Sequence, residues 1–195
     1  MFISYFSGEE WEREYLKSKL PQDSFEVFDG PINDNPNSGR VETEIVSVFV
    51  KSQIGASEMD MFPNLKFIAA RSTGFDNINI EEASKRGIVV SNVPSYGENT
   101  VAEFAWALLL SLSRKIYDSY HRIEETGSFS IEGLRGFDIK GKKIGVIGSG
   151  RIGRHFIKMA KGFDTEVVAF DVNEDLALAK ELGFFGKFVK FAQEV

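Results

Sequence analysis

The chain lacks cysteine, has only two histidines and contains no long apolar run. Without cysteine it has no disulfides, no thiolate metal ligands and no cysteine nucleophile. The most apolar stretch, residues 105–112, is far shorter than the roughly 20 residues that a membrane-spanning helix requires. Residues 1–10 carry acidic side chains and no basic segment, which argues against a signal peptide and favours a cytoplasmic location.

An excess of positive charge is also absent. The 195 residues have a net charge of -6 and a pI of about 5.1, which argues against general affinity for nucleic acid or an anionic membrane. No group of potential ligands has metal-binding spacing, so no metal site is predicted. Hydrophobic residues make up 43% of the chain, which is typical of a globular protein with a substantial core.

The first half of the chain alternates short apolar runs with helical patterns, as parallel α/β domains do. Strands are predicted at 2–6, 25–28, 45–50, 65–70 and 88–90. A capping-box pattern at Ser7 and Glu10 predicts a first helix that ends before Pro21. A short helix is predicted over Ile80–Arg86, ended by Gly87. Residues 29–40 are rich in Pro, Asn and Gly and predict a loop.

One long helix is predicted over Glu98–Thr126, with Gly127 at its end. Apolar residues follow helical spacing along it: Val101, Phe104, Ala105, Leu108, Leu112 and Ile116. Trp106, Leu109 and Leu110 widen this stripe to most of the circumference. A helix that is apolar all round must be buried on several sides. We therefore expect it to lie between two domains, at a subunit interface, or both.

A strand at Lys143–Ile147 runs into a Gly-x-Gly-x-x-Gly motif at Gly148, Gly150 and Gly153. The first glycine permits a tight turn, the second permits close approach of a pyrophosphate, and the third permits close packing of helix and strand. The helix that follows directs its N-terminal amides and positive dipole at the phosphates, and Arg151 adds a charged contact. This pattern predicts the start of a dinucleotide-binding fold.

The second strand, Glu166–Phe170, ends at Asp171, which lies 18 residues after Gly153. A carboxylate in this position accepts hydrogen bonds from the adenosine ribose. No basic residue occurs in the segment 171–173, so no group there receives a 2′-phosphate, and NAD is predicted rather than NADP. A helix near 174–182 and a third strand at 187–191 are predicted after it.

A second candidate site follows the predicted strand at 65–70. The segment Arg71–Asn79 begins where that strand ends, and ligands of parallel α/β folds bind at such ends. Ser72, Thr73 and Gly74 are able to form a nest of amide groups for a carboxylate. A simple capped turn is the alternative interpretation of the same residues.

Four segments together resemble the D-isomer-specific 2-hydroxyacid dehydrogenases. In chain order they are Arg71–Asn79, Ser91–Tyr96, Val101–Glu103 and Gly145–Gly153. The Pro-x-Tyr sequence that ends at Tyr96 is most similar to the D-lactate dehydrogenase branch. The resemblance implies an α/β chain with a flavodoxin-like substrate domain over 1–98. It also implies the first half of a Rossmann dinucleotide-binding domain over 99–195.

The resemblance further implies roles for individual residues. Tyr96 and the backbone of Thr73 and Gly74 hold the carboxylate of a small 2-keto or 2-hydroxy acid, and Thr73 faces the nicotinamide. Thr100 or Val101 lies near the nicotinamide end of NAD. The cofactor-binding residues implied on this side are Gly148, Gly150, Arg151, Ile152, Gly153 and Asp171. A homodimer through the 98–126 region is also implied.

The chain departs from the family pattern at several points. Phe104 stands where histidine is common, and Lys51 stands where lactate-type enzymes often have an aromatic residue. The family's catalytic arginine, its acid and its histidine have no match here, so no catalytic residue is assigned. His121 and His155 are interpreted as solvent-facing or packing side chains. The 195 residues alone are therefore expected to be inactive.

Three functions remain open from the sequence. The first is an NAD-dependent D-2-hydroxyacid dehydrogenase, acting on D-lactate and pyruvate or a similar acid and represented here by a fragment. The second is a non-catalytic NAD-binding, regulatory or oligomerisation protein of the same fold. The third is a related dehydrogenase that acts on glycerate, phosphoglycerate or formate.

Overall fold

The computed structural model describes residues 1–21, 24–173 and 175–182. The chain divides into two compact units, Met1–Tyr96 and Gly97–Val195. Within the described residues no helix is long and apolar enough to cross a membrane. The strands are β1 (Phe2–Phe6), β2 (Phe25–Phe28), β3 (Thr43–Val48), β4 (Phe67–Ala70), β5 (Val89–Ser91), β6 (Lys143–Ile147) and β7 (Glu166–Phe170). The helices are α1 (Glu10–Lys19), α2 (Ala56–Asp60), α3 (Ile80–Lys85), α4 (Glu98–Ser113), α5 (Ile116–Thr126), α6 (Arg151–Gly162) and α7 (Leu176–Leu182).

The first unit contains a five-stranded parallel sheet in the order β2-β1-β3-β4-β5. This is the flavodoxin-like order, in which the chain reverses direction across the sheet between β1 and β3. The predicted fold class is therefore confirmed. Its core consists of buried aliphatic and aromatic side chains, including Phe6, Val46, Val48, Phe62 and Ile68. Because all strands are parallel, their carboxyl ends share one edge of the sheet.

The second unit contains a parallel pair, β6 and β7, connected by α6. Trp106 of α4 is stacked between Phe156 and Phe163, with ring centroids 5.0 and 4.7 Å away, and its indole nitrogen donates to the carbonyl of Phe156 at 3.1 Å. These contacts fasten α4 to the helix that carries the glycine motif. The predicted strand-helix-strand start of a Rossmann domain is confirmed.

The prediction of one long helix over Glu98–Thr126 is wrong, because the helix is interrupted between α4 and α5. Lys115 adopts a left-handed conformation with φ of +57°. The carbonyl of Ser113 accepts the amide of Phe137 at 3.0 Å, so it is not available to continue the helix. In the single chain, part of the apolar surface of α4 is exposed, and the expected burial at a subunit interface stays a prediction. Val101, Phe104, Leu108 and Leu112 are 49–73% exposed.

The predicted capping box at Ser7 and Glu10 is also wrong. Ser7 has φ of +56°, whereas the residue that caps a helix N-terminus is normally extended. Glu9 takes this position, and its amide donates to the carboxylate of Glu12 at 2.8 Å. The helix still ends before Pro21, as expected. Helix α2 was not predicted.

Other boundaries shift by one or two residues. Strand β3 ends at Val48 because its pairing with β4 ends there, opposite Ala70, so Phe49 and Val50 fall in the following turn. Helix α7 begins at Leu176 rather than 174. The strand predicted at 187–191 lies outside the described residues. Gly87 and Gly127 follow their helices with φ of +69° and +63°, as expected for helix-terminating glycines.

Candidate functional site

The glycine motif forms a tight turn between β6 and α6. Gly148 has φ of +93°, a conformation that favours glycine, and its amide donates to the carbonyl of Phe170 at 2.7 Å. At Gly153 a Cβ atom would overlap the carbonyl of Gly148. The first and third glycines are therefore required by the fold itself, whatever binds nearby.

Gly150 differs from the other two glycines. Its φ is -64°, which any residue adopts, and a Cβ atom there would point into open space. Gly150 is also the N-cap of α6, where it supplies no capping side chain. The requirement for glycine at this position is therefore not explained by packing. An open approach to the uncapped N-terminus of a 12-residue helix suits a phosphate group.

Asp171 is joined to the glycine turn through Ser149. One carboxylate oxygen of Asp171 accepts the amide of Ser149 at 2.7 Å and its hydroxyl at 3.1 Å. The other oxygen accepts the amide of Asn173 at 3.0 Å. These amide hydrogen bonds, first from Asn173 and then from Ser149, lower the pKa of Asp171. The carboxylate is therefore ionised and fixed in direction at the end of β7.

Two arginines lie beside this turn. Arg151, expected to contact a pyrophosphate, lies 3.5 Å from the carboxylate of Glu98 at the start of α4. Arg154 was not anticipated. Its Nη2 atom lies 3.1 Å from Asp175, and its Nε donates to the carbonyl of Ser149 at 3.4 Å. The sequence offers one indication of this, since residue 154 is one turn after Gly150 on the same helix.

The candidate carboxylate-binding loop follows β4. Ser72 is buried and its hydroxyl donates to the carbonyl of Gly74 at 2.7 Å. The carbonyl of Ser72 accepts the amide of Val93 at 3.1 Å, and that of Thr73 accepts the side-chain amide of Asn92 at 2.8 Å. Three successive carbonyls are thus engaged by the protein. Within the described residues the amides of Thr73 and Gly74 donate to no carbonyl or side chain, which leaves them open to an anion, as in a nest.

The start of this loop is fixed by Arg71. Its guanidinium donates to the carbonyls of Phe6 and Ser7 at 2.8 and 3.1 Å, and to the hydroxyl of Ser47 at 3.1 Å. It also stacks on Tyr5 and lies 3.6 Å from Glu12. Burial lowers the pKa of Arg71. Sequence reasoning missed this supporting set, because its members are distant in the chain.

The remaining candidate residues lie at exposed positions. Tyr96 is 64% exposed, and Thr73, Gly74, Thr100 and Ile152 are exposed as well. Thr73, Gly74 and Tyr96 belong to the first unit, whereas Thr100 and the glycine motif belong to the second.

The two histidines lie on helices of the second unit, His121 on α5 and His155 on α6. His121 pairs with Glu125 at 3.2 Å and lies against the ring of Tyr117, all on α5. His155 is partly buried within α6. Among residues 1–21, 24–173 and 175–182, no group of His, Asp or Glu side chains is placed to hold a metal ion.

Comparison with known proteins identifies the family of the chain. The model of the D-isomer-specific 2-hydroxyacid dehydrogenase catalytic domain matches residues 5–166. A 2-hydroxyacid dehydrogenase homolog from Schizosaccharomyces pombe is 37% identical over 183 residues, which cover 91% of this chain and 55% of that protein. The chain thus spans about half the length of the curated relatives that it matches.

Solved structures agree with this match. The apo structure of D-lactate dehydrogenase from Escherichia coli has a TM-score of 0.79 at 32% identity, covering 94% of this chain and 59% of that one. The Aquifex aeolicus D-lactate dehydrogenase, solved with NAD and lactic acid, has a TM-score of 0.81 at 26% identity, with coverage of 94% and 55%. The family model covers most of the chain and the solved structures share its fold, so the chain belongs to the D-isomer-specific 2-hydroxyacid dehydrogenase family.

Proposed function

We propose that this chain is part of an NAD-dependent dehydrogenase that interconverts a small D-2-hydroxy acid, such as D-lactate, and its 2-keto acid. The observation that carries the proposal is the link from Asp171 to the glycine turn through Ser149. It aligns an ionised carboxylate with the N-terminus of α6, and an adenosine ribose and a pyrophosphate require these two elements side by side.

The residues of the second unit fit the adenosine half of NAD. Asp171 accepts the ribose hydroxyls, the open space at Gly150 admits the pyrophosphate, and the first-turn amides of α6, from Arg151 to Gly153, face its charge. Ile152, 45% exposed, provides apolar contact beside the glycine turn, and Thr100 lies toward the nicotinamide. When bound, NAD accepts a hydride from the hydroxy acid or, as NADH, returns it to the keto acid.

The first unit supplies the substrate contacts in this proposal. The amides of Thr73 and Gly74 bind the substrate carboxylate, and the exposed hydroxyl of Tyr96 donates a further hydrogen bond. Lys51 lies after β3, at the same edge of the sheet as this loop, and its charge favours an acid with a polar substituent. Glycerate and phosphoglycerate therefore stay open as substrates beside lactate.

A complete reaction also needs a group to polarise the carbonyl and a group to move a proton. The family's arginine, acid and histidine have no match in these 195 residues, and His121 is occupied by Glu125. We expect the chain by itself to show no reduction of pyruvate, hydroxypyruvate or 2-ketobutyrate with NADH, and to bind NAD weakly. Reduction at an ordinary enzymatic rate would contradict this and direct attention to His155.

Two measurements test the proposal. Calorimetric titration should give tighter binding of NAD than of NADP, and Asp171→Ala should weaken NAD binding by roughly tenfold or more, because charge-assisted hydrogen bonds are lost. In a longer chain with the family's remaining residues, Tyr96→Phe should raise the KM for the keto acid and leave the KM for NADH unchanged. Nucleotide binding without turnover by that longer chain would favour the alternative, a non-catalytic NAD-binding or regulatory protein.

We also propose a homodimer through residues 98–126. Helix α4 buries one side against α6 and leaves its opposite apolar side exposed in the single chain. An exposed apolar patch of this kind marks an interaction surface.

A further inference from the structure

Arg154 places a positive charge next to the residue that orients Asp171. The two side chains contact opposite ends of the same backbone unit: Asp171 accepts the amide of Ser149, and Arg154 donates to its carbonyl. Ser149 itself is 4% exposed, and its buried backbone holds the two side chains in place through these hydrogen bonds. Half of the Arg154 side chain is exposed, and its guanidinium is therefore able to turn toward a ligand.

This arrangement changes the expectation from the sequence. The absence of basic residues in the segment 171–173 left no group to receive a 2′-phosphate, but the fold brings a cation to the same place from α6. Because both side chains contact Ser149, a 2′-phosphate on a ribose held by Asp171 would approach both charges. Asp171 repels such a phosphate, and Arg154 attracts it.

Asp175 decides which of these two influences prevails. Its carboxylate lies 3.1 Å from Nη2 of Arg154, so the guanidinium already has an anionic partner. The negative charges of Asp171 and Asp175 then repel a 2′-phosphate, and the single positive charge of Arg154 attracts it. Removing either negative charge shifts this balance toward an incoming phosphate.

We propose that Arg154 is a latent 2′-phosphate ligand, so that the adenosine half-site rejects NADP because of the charges of Asp171 and Asp175 and not because a cation is missing. The inference rests on the proposed function in one respect, that adenosine binds at the glycine turn. A single change of charge at Asp171 or Asp175 therefore suffices to reverse or erase the preference for a ribose without a 2′-phosphate.

The test uses the whole 195-residue chain and two probes, adenosine 5′-monophosphate and adenosine 2′,5′-bisphosphate. Backbone amide shifts of Gly148, Gly150 and Gly153 report binding of each probe by NMR. In the unchanged chain the monophosphate should bind more tightly. In Asp171→Ser the bisphosphate should gain roughly tenfold in affinity and become the preferred probe. In Asp171→Ser with Arg154→Gln this gain should disappear.

A matched control separates a local contact from a change of net charge. Lys158 is an exposed cation one helical turn beyond Arg154. Lys158→Gln, combined with Asp171→Ser, should retain the gain for the bisphosphate. Equal losses with Lys158→Gln and Arg154→Gln would refute the proposal, because the effect would then be one of general electrostatics.

A second variant keeps the proposal testable if Asp171→Ser does not fold. Asp175→Asn leaves Asp171 and its hydrogen bonds in place and frees Arg154, so it should improve bisphosphate binding several-fold while monophosphate binding stays constant. If the monophosphate shifts the glycine amides but neither variant gains affinity for the bisphosphate, the inference about Arg154 is wrong and the proposed function stands. If neither probe shifts these amides in any variant, both are wrong.

Discussion

The guanidinium carbon of Arg71 lies over the ring of Tyr5, 3.8 Å from the ring centroid. The hydroxyl of the same tyrosine donates to Glu12 at 2.6 Å, and Glu12 faces Arg71 at 3.6 Å. The three side chains form a closed, partly buried set of contacts at the carboxyl ends of β1 and β4. In flavodoxin-like folds the ligand crevice lies where the strand order reverses. Here Arg71 occupies that point, between β1 and β3, and the candidate substrate loop begins directly after it.

The first prediction concerns the hydroxyl of Tyr5. Tyr5→Phe keeps the ring beneath Arg71 but removes the hydrogen bond to Glu12. It should lower the free energy of unfolding by about 2 kcal/mol, since the acceptor is a charged and partly buried group. Urea denaturation measures this change. Tyr15→Phe is the matched control, because Tyr15 is 59% exposed, and it should change stability by less than about 0.5 kcal/mol. Equal effects of the two substitutions would show that the hydrogen bond to Glu12 contributes nothing.

The second prediction concerns alkaline pH. Burial, together with the hydrogen bond to Glu12, raises the pKa of Tyr5. A group whose pKa is raised by folding contributes fully to the free energy of unfolding below its pKa in the unfolded chain, which is about 10 for tyrosine. That contribution is lost as the pH rises from this pKa toward the higher pKa of the folded protein. The stability difference between the parent and Tyr5→Phe should therefore be constant from pH 7 to 9 and shrink above about pH 10. A difference that stays constant up to pH 11 would contradict the raised pKa.

The third prediction separates two glycines of one motif. Gly153→Ala should destabilise the second unit by about 2 kcal/mol or more, because its Cβ overlaps the carbonyl of Gly148. Gly150→Ala should leave thermal stability almost unchanged, since open space surrounds that position, yet it should weaken NAD binding. Thermal unfolding followed by circular dichroism, with nucleotide titration of each variant, measures both effects. Loss of stability with Gly150→Ala would assign this glycine to packing instead of to the pyrophosphate.

The fourth prediction concerns self-association. Leu112 is 73% exposed on α4, and Leu112→Glu should convert the proposed dimer to a monomer at micromolar concentration, because a charge would be buried in an apolar contact. Analytical ultracentrifugation of parent and variant gives the result. Trp11→Glu is the control, since Trp11 is similarly exposed at 64% but lies on α1 of the first unit. A parent chain that sediments as a clean monomer would remove the basis for the dimer.

The parts of the site that were predicted from the sequence are those fixed by local geometry. The glycine turn was predicted from the spacing of its three glycines, two of which, Gly148 and Gly153, meet a constraint within the turn itself. Asp171 was predicted because strand β7 ends there. Arg71 as an anchor was not identified, since its partners Phe6 and Ser7 are 64 to 65 residues away. Arg154 was missed for the same reason, because its relation to Asp175 depends on the return of the chain through β7.

The error in the long helix has a similar cause. The sequence between Ser113 and Ile116 contains no glycine or proline, and local propensity therefore predicts continuation. The break is imposed from outside, by the connection that follows α5. Phe137 binds the carbonyl of Ser113, and Gly136 packs so closely on it that a Cβ atom would overlap that oxygen. Tertiary contacts of this kind have no signature in the helix that they interrupt.

The left-handed residue at Lys115 also divides the exposed apolar surface of residues 98–126 into two parts. The exposed leucines of α4 and the exposed Tyr117 and Tyr120 of α5 do not form one continuous ridge, because a left-handed residue ends one helix axis and starts another. They are two separate exposed surfaces, one aliphatic and one aromatic, with Arg114 and Lys115 between them. Substitutions on α4 and on α5 are therefore expected to act independently on the proposed assembly.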